Sequence, residues 1–213
     1  IGIDHCDLVF CFTPAKALIP AELVGQLSQL VATGKIRHWA RGNWPVELLA
    51  ECCAIARRTG APLPPAAMVP YSPAMRQFAD DAAMAALCRE YGIGLVASFA
   101  LHGGILTGKY SGEGAQPSRR FNSKQLEQLR HGGLLDQAAR FVALARERGC
   151  SAAQLAYAYC LRHPLVASLL FGATSAAQVR ENLAALEIAR AMDAELVAKI
   201  EDIFPPGEAA RSG

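Results

Sequence analysis

Short apolar runs alternate along this chain with longer stretches whose apolar residues recur every three or four positions, the pattern of strands feeding amphipathic helices. Asp7–Phe12 (DLVFCF) is continuously apolar and predicts a strand covered on both faces. Pro20–Thr33 sets Leu23, Leu27, Leu30 and Val31 on one stripe before Gly34, and predicts a helix. Ile36–Ala40 predicts a second strand. The loop Arg41-Gly42-Asn43-Trp44 then leads through Pro45 into a helix over Val46–Thr59 that buries Leu48, Leu49, Cys52, Ile55 and Ala56. Beyond the Pro-rich connector Ala61–Pro65, Ala66–Val69 is a weak third strand spoiled by Pro70. A helix over Asp80–Tyr91 and a fourth strand over Gly94–Phe99 follow.

Leu101–Gly114 and the basic Pro117–Phe121 make a long Gly-rich segment, of a length that inside a compact domain marks a functional lid or a mobile insertion. Helices over Leu134–Arg148 and Ser151–His163 come next, the second opened by the S-x-x-Q pair Ser151 and Gln154. Val166–Phe171 predicts a buried fifth strand, Gly172 a tight turn, and Ser175 with Gln178 a second capping box. A last helix, Ala194–Phe204, stops at Pro205-Pro206. Strands alternating with helices mean a parallel α/β sheet. Five such units are too few to close an eight-stranded barrel, and no Rossmann glycine signature follows the first strand. The expected fold is therefore a partial barrel, with chemistry on the loops at the carboxyl ends of the strands and phosphate sites near the last of them.

The stretch Val166–Glu187 answers that description. A strand entering a helix through a small-residue loop aims free amides and the helix dipole at one point, a ready anion site. Thr174 and Ser175 add hydroxyls, while Gln178, Glu181 and Asn182 recur on one helical face, where a base or ribose can be gripped. The alternative is an ordinary corner whose polar residues are solvated.

With 213 residues, 52% hydrophobic and 19% charged, the chain can fold around a substantial core as a single domain over 1–213. The formal charge of +2 is small and the basic residues are scattered, which argues against a nucleic-acid partner. No apolar run reaches bilayer length and no leader pattern opens the chain, so a cytoplasmic protein is expected. Seven cysteines without a CxxC spacing fit buried thiols in a reducing compartment better than disulfides or zinc, with redox sensing at Cys11 or Cys150 the alternative. The first residue is Ile1 rather than Met, which suggests a processed, excised or incomplete chain.

Four segments together resemble the aldo–keto reductase superfamily, in particular its branch of potassium-channel β subunits and bacterial relatives. They are GIDHCDLVF (Gly2–Phe10), LVATGKIRHWARGNW (Leu30–Trp44), LHGGILTGKY (Leu101–Tyr110) and GCSAAQLAYAYCLRHPLVASLLFGATSAAQVRENL (Gly149–Leu183). They stand in family order and at family spacing. The resemblance implies a partial (β/α)8 TIM barrel that binds NADP(H) and reduces carbonyls, its first three βα units missing because the chain starts at the fourth family strand. It assigns Gly172, Thr174, Gln178, Glu181 and Asn182 to the 2′-phosphate and adenine. Lys109 and Arg119 go to the pyrophosphate, Leu101 to the covering segment, and Asn43 to the nicotinamide carboxamide.

The same resemblance assigns no catalytic residue and no metal ligand here. The family's Asp, Tyr and Lys belong to the first three units, and its His aligns with Phe12, which has no proton to donate. Gly42 replaces the Ser beside the nicotinamide, Met68 a Gln, and Ser98 the stacking aromatic, with Phe99 adjacent. The five histidines are expected at the surface or at helix ends, His102 being of interest because it lies on the covering segment. Three functions follow as alternatives. The chain is part of an NADP(H)-dependent reductase of a small carbonyl substrate, or a catalytically inactive NADP(H)-binding partner subunit, or a non-functional fragment. An open barrel exposes sheet edges, which implies an oligomer or a partner subunit covering them.

Overall fold

The computed structural model describes residues 2–12, 19–111 and 121–205. Its strands are β1 (Cys6–Phe12), β2 (Ile36–Gly42), β3 (Ala66–Pro70), β4 (Gly94–Ser98) and β5 (Val166–Leu169). The helices are α1 (Pro20–Ala32), α2 (Val46–Thr59), α3 (Ala82–Tyr91), α4 (Ser123–His131), α5 (Leu134–Glu147), α6 (Ala152–Leu161), α7 (Ala176–Leu183), α8 (Ala185–Ala191) and α9 (Ala194–Ile203). The strands form one five-stranded parallel sheet in chain order, β1-β2-β3-β4-β5. Register is fixed by pairs such as Cys6↔Ile36 and Phe12↔Gly42 between β1 and β2, and Gly42↔Met68 between β2 and β3. Each helix between successive strands returns the chain to the same end of the sheet, as parallel pairing requires.

The chain divides into two compact units, Ile1–Val69 with Phe78–Val96, and Pro70–Gln77 with Ala97–Gly213. The first unit is centred on Trp39 and Trp44, whose rings stack with centroids 6.0 Å apart, packed on Val24, Leu27, Cys52 and Ala56. The Trp39 indole N–H donates to the Pro62 carbonyl at 2.9 Å, so the large apolar surface is buried without orphaning that donor. Punctuation is local. Gly60 and Gly92 end α2 and α3 in left-handed conformations, and Asp81 caps α3 by accepting from the Met84 amide at 2.7 Å.

The second unit packs Phe141 against Phe204, with centroids 5.6 Å apart, over buried Leu155 and Ile200. Above this core the Glu201 carboxylate receives Arg76 at 2.9 Å, Arg162 at 3.1 Å and the Tyr159 hydroxyl at 2.8 Å. One anion thus joins the loop after β3 to α6 and α9.

Several expectations change. β1 is not covered on both faces: it ends the sheet, and Leu8 and Phe12 are exposed. β5 is likewise a terminal strand, shorter than expected and half-buried, with Leu170 and Phe171 beyond it in solvent. β3 is a full strand whose Ala66, Ala67 and Val69 are buried; Pro70 is tolerated because it is the last residue. The segment from Leu101 is no lid over its described part. It folds into two 3-10 turns over His102–Thr107, joined through Gly103 and Gly104 at φ 67° and 93°, and buries Ile105, Leu106 and Tyr110. Residues 112–120 lie outside the described residues. Helix α4 had no counterpart in the apolar pattern; Asn122 and Gln125 open it with a reciprocal capping box. Among the described cysteines none is bridged: Cys52, Cys53, Cys88 and Cys160 are buried, and Cys6, Cys11 and Cys150 half-buried. Burial pushes the Cys11 and Cys150 thiols up, away from the thiolate a redox sensor needs. No helix among the described residues is long and apolar enough to cross a membrane.

Candidate functional site

Every assigned residue but Arg119, which lies outside the described residues, follows the carboxyl end of a strand. Asn43 directly follows β2, Leu101 and Lys109 follow β4, and Gly172 to Asn182 follow β5. Three non-glycine residues among those described have left-handed backbones, and all three stand there too: Asn43 (φ 59°), Phe99 (φ 60°) and His102 (φ 48°). Such conformations persist only where the surroundings impose them, and they gather at ligand-holding sites.

In the second unit a shallow cavity of about 230 Å³ opens between the loop after β4 and the loop after β5. Leu101, Gly103 and Gly104 form one wall, Leu170, Phe171 and Gly172 the other, and no carboxylate lines it. Two of the assigned positions, Leu101 and Gly172, therefore meet at one opening. Lys109 joins them. Its ammonium folds over Gly104, close enough that a Cβ there would sit 2.8 Å from the nitrogen, and lies 4.7 Å from the centre of the Tyr110 ring. Gly104 is required by its positive φ; the flexible end of the lysine would swing aside for a Cβ. With no carboxylate partner among the described residues, Lys109 is an exposed cation folded over Gly104, one of the residues that line the cavity, and is suited to an anionic ligand. The volume suits one small part of a ligand, whose remainder would lie along the surface.

That surface continues to the start of α7. The Ser175 hydroxyl accepts from the Gln178 amide at 3.2 Å, as a cap does. The reciprocal half of the expected box is displaced by one residue: Gln178 Oε1 accepts from the Thr174 amide at 2.7 Å and from its hydroxyl at 3.1 Å. Ser151 and Gln154, by contrast, form a complete box at α6, and Gln154 also donates to the Glu181 carbonyl at 3.0 Å, tying α6 to α7. Gly172 through Glu181 is exposed and Asn182 half-buried. The helix breaks at Ala184, so Gln178, Glu181 and Asn182 share a helix of only 8 residues.

One residue lining this cavity, Tyr157, escaped the pattern argument, and His102, which it did single out, is enclosed rather than exposed. Tyr157 forms the cavity floor, with its ring 5.9 Å from that of Phe171, and burial, with Cys160 and Glu181 nearby, pushes its phenol up to about 12. It stays a protonated donor at neutral pH. No sequence signal marked it, because α6 is apolar on every side. His102 is not at the surface: its ring packs 5.2 Å from that of Phe99, its Nδ1 is buried with no partner among the described residues, and burial lowers its pKa to about 4. His163 is half-buried just beyond the end of α6, as expected of a helix-end histidine, with its ring edge-on to Tyr71 at 5.4 Å.

In the first unit, the two departures Phe12 and Gly42 turn out to be one. They are register partners, and a Cβ on Gly42 would meet the Phe12 ring at 2.9 and 3.0 Å. The ring occupies the space that the family's serine side chain would take. Met68 supplies its carbonyl where a glutamine amide is expected, accepting from the Asn43 N–H at 3.4 Å. Asn43 is itself exposed between buried Gly42 and Trp44, and its side-chain amide has no partner among the described residues. A strained backbone that presents an unpaired amide is what a ligand carboxamide needs.

The sequence profile of the Aldo/keto reductase family matches residues 1–204. A protein of Oryza sativa subsp. japonica named probable voltage-gated potassium channel subunit beta is 30% identical over 207 residues, covering 95% of this chain and 63% of the relative. An Arabidopsis thaliana protein of the same name is 29% identical over 209 residues, with 96% and 63% covered. The chain thus spans 63% of the length of these two curated relatives.

Proposed function

The chain belongs to the aldo/keto reductase family, and from that premise we propose that it holds NADP(H) for the reduction of an aldehyde or ketone. The observation that carries the reading is the acid-free cavity joining Gly104 to Gly172, with the Lys109 ammonium folded over Gly104 and the Thr174–Gln178 turn following Gly172. In this reading Lys109 takes the pyrophosphate, together with Arg119, and Leu101 covers it. The hydroxyl of Thr174 and the amides of the α7 start take the 2′-phosphate, and Gln178 releases its hold on Thr174 to do so. Glu181 and Asn182 face the adenine, and Asn43 the carboxamide. The bound cofactor supplies a hydride; these residues bind and orient it. Two or three donors of this kind on a 2′-phosphate would favour NADP over NAD.

The test compares NADPH with 2′,5′-ADP, which keeps the adenine and 2′-phosphate but lacks the nicotinamide half and the pyrophosphate link. Fluorescence or calorimetric titration of the purified protein should show both binding. Lys109→Met should weaken NADPH by about tenfold, the worth of one charge-assisted contact, and weaken 2′,5′-ADP, which keeps only one of the two linked phosphates, by less. Binding of neither ligand would refute the reading.

A second reading is favoured by one observation: the Phe12 ring fills the space beside Gly42, leaving no proton donor there. On this reading the chain is an NADP(H)-binding partner subunit without turnover; the relatives' names make them subunits of a channel, which accords with the partner role. NADPH oxidation driven by an aldehyde panel decides for the first; stoichiometric binding without oxidation decides for the second.

A further inference from the structure

Arg41 has no counterpart in the assignments above. It is the last residue of β2 but one, 4% exposed, and buried without an ion-pair partner among the described residues. Burial lowers its pKa to about 10, so the guanidinium is charged at neutral pH. Besides burial, the Cys88 thiol acts on it, and burial keeps that thiol protonated. An unpaired buried cation is costly, and an apolar side chain of the same length would serve the core better. Its presence therefore calls for a reason other than stability.

The geometry supplies one. The guanidinium donates through Nη2 to the Trp44 carbonyl and through Nη1 to the Met68 carbonyl at 3.2 Å, while its Nε has no partner among the described residues. Trp44 immediately follows Asn43. Met68 O is the acceptor of the Asn43 N–H at 3.4 Å. Both backbone points that determine where Asn43 sits are therefore held by one rigid fork, whose two parallel donors suit two carbonyls better than a lysine's single ammonium. On the other side, Gly42 has Phe12 and the Cys11 carbonyl where a side chain would be.

We propose that Arg41 is a positioning residue that clamps the left-handed turn at Asn43, so that its exposed amide stands ready for the nicotinamide carboxamide. The inference rests on the assignment of Asn43 under the proposed function. Arg41 touches no ligand itself. It acts through the backbone of Trp44 and Met68.

The test measures NADPH and 2′,5′-ADP affinities of the purified protein and of Arg41→Met, Arg41→Lys, Asn43→Gly and Arg41→Met/Asn43→Gly. Glycine accepts the left-handed backbone and removes only the amide. Arg41→Met is expected to weaken NADPH at least fivefold with 2′,5′-ADP unchanged, and Arg41→Lys to fall between. In the Asn43→Gly background Arg41→Met should add nothing, since no amide remains to be placed; a merely structural role would add its full loss there. Circular dichroism confirms folding, and if Arg41→Met aggregates, Arg41→Lys carries the same comparison. Unchanged NADPH affinity, an additive loss, or equal loss of both ligands overturns the clamp. Failure of the unmodified protein to bind 2′,5′-ADP overturns the nucleotide reading instead, and the clamp with it.

Discussion

Replacing Gly42 by alanine tests whether Phe12 and Gly42 are a compensated pair. Gly42 carries no positive φ, so the cost of a side chain is one of space alone. The new Cβ would lie 2.9 and 3.0 Å from two Phe12 ring carbons and 3.0 Å from the Cys11 carbonyl oxygen. Ordinary contacts begin near 3.4 Å, so each neighbour must retreat by a few tenths of an ångström. The ring is 56% exposed and has somewhere to go; the carbonyl sits in the β1–β2 ladder and does not. Overpacking of this kind costs about 1–3 kcal/mol, and the two clashes together place Gly42→Ala at about 2 kcal/mol. In a Phe12→Ala background only the carbonyl clash remains, and the cost should fall to about 1 kcal/mol. The expected coupling of about 1 kcal/mol exceeds the scatter of about 0.5 kcal/mol found for independent sites. Urea unfolding followed by tryptophan fluorescence reads it, because Trp39 and Trp44 report on the same unit. Equal costs in the two backgrounds would mean that the ring does not fill the serine's place.

Two further outcomes follow from polar groups in the second unit. Glu201→Gln keeps an acceptor for the Tyr159 hydroxyl but leaves Arg76 and Arg162 facing each other without their shared anion. With Glu201 itself 37% exposed, the full cost of a broken buried pair is reduced by solvent screening to about 1–3 kcal/mol. A thermal melt should fall by about 2–4 °C for each kcal/mol, and an unchanged melt would refute the role of the network. His102 titrates at about 4 when folded and at 6.5 in its ordinary state, so the unfolded chain takes up the proton first. Its contribution is complete above pH 6.5, shrinks as pH falls from there toward 4, and amounts to about 3 kcal/mol over that window. His102→Asn, which tolerates the left-handed backbone, should flatten the stability profile between those values; an unaltered profile would show that the ring is solvated.

The sequence determined the architecture, because periodicity is a local property that burial amplifies. The β1–α1–β2–α2 order, the Gly60 stop and the Ser151 box are all legible in short windows, and α2 begins and ends where its apolar stripe does. Position along the chain likewise sufficed to put Asn43, Leu101, Lys109 and Gly172 beyond carboxyl strand ends, since in a parallel sheet every strand delivers its following loop to one end. What periodicity cannot express is which side of an element meets protein. β1 and β5 have the apolar runs of central strands yet lie at the ends of the sheet, so Leu8, Phe12, Leu170 and Phe171 remain exposed. Likewise the Gly-rich segment after β4 reads as loop, although Ile105, Leu106 and Tyr110 anchor it, because its core partners Leu126, Leu135 and Ala138 come from later helices. The site shows the same division. Residue types named the positions, but only packing across strands could show that Phe12 and Gly42 exchange one volume. It also took packing to show that Lys109 rests on Gly104 and that Arg41 reaches the carbonyls on either side of Asn43. These relations join residues up to 30 positions apart in the chain, Phe12 to Gly42, where no local pattern reaches.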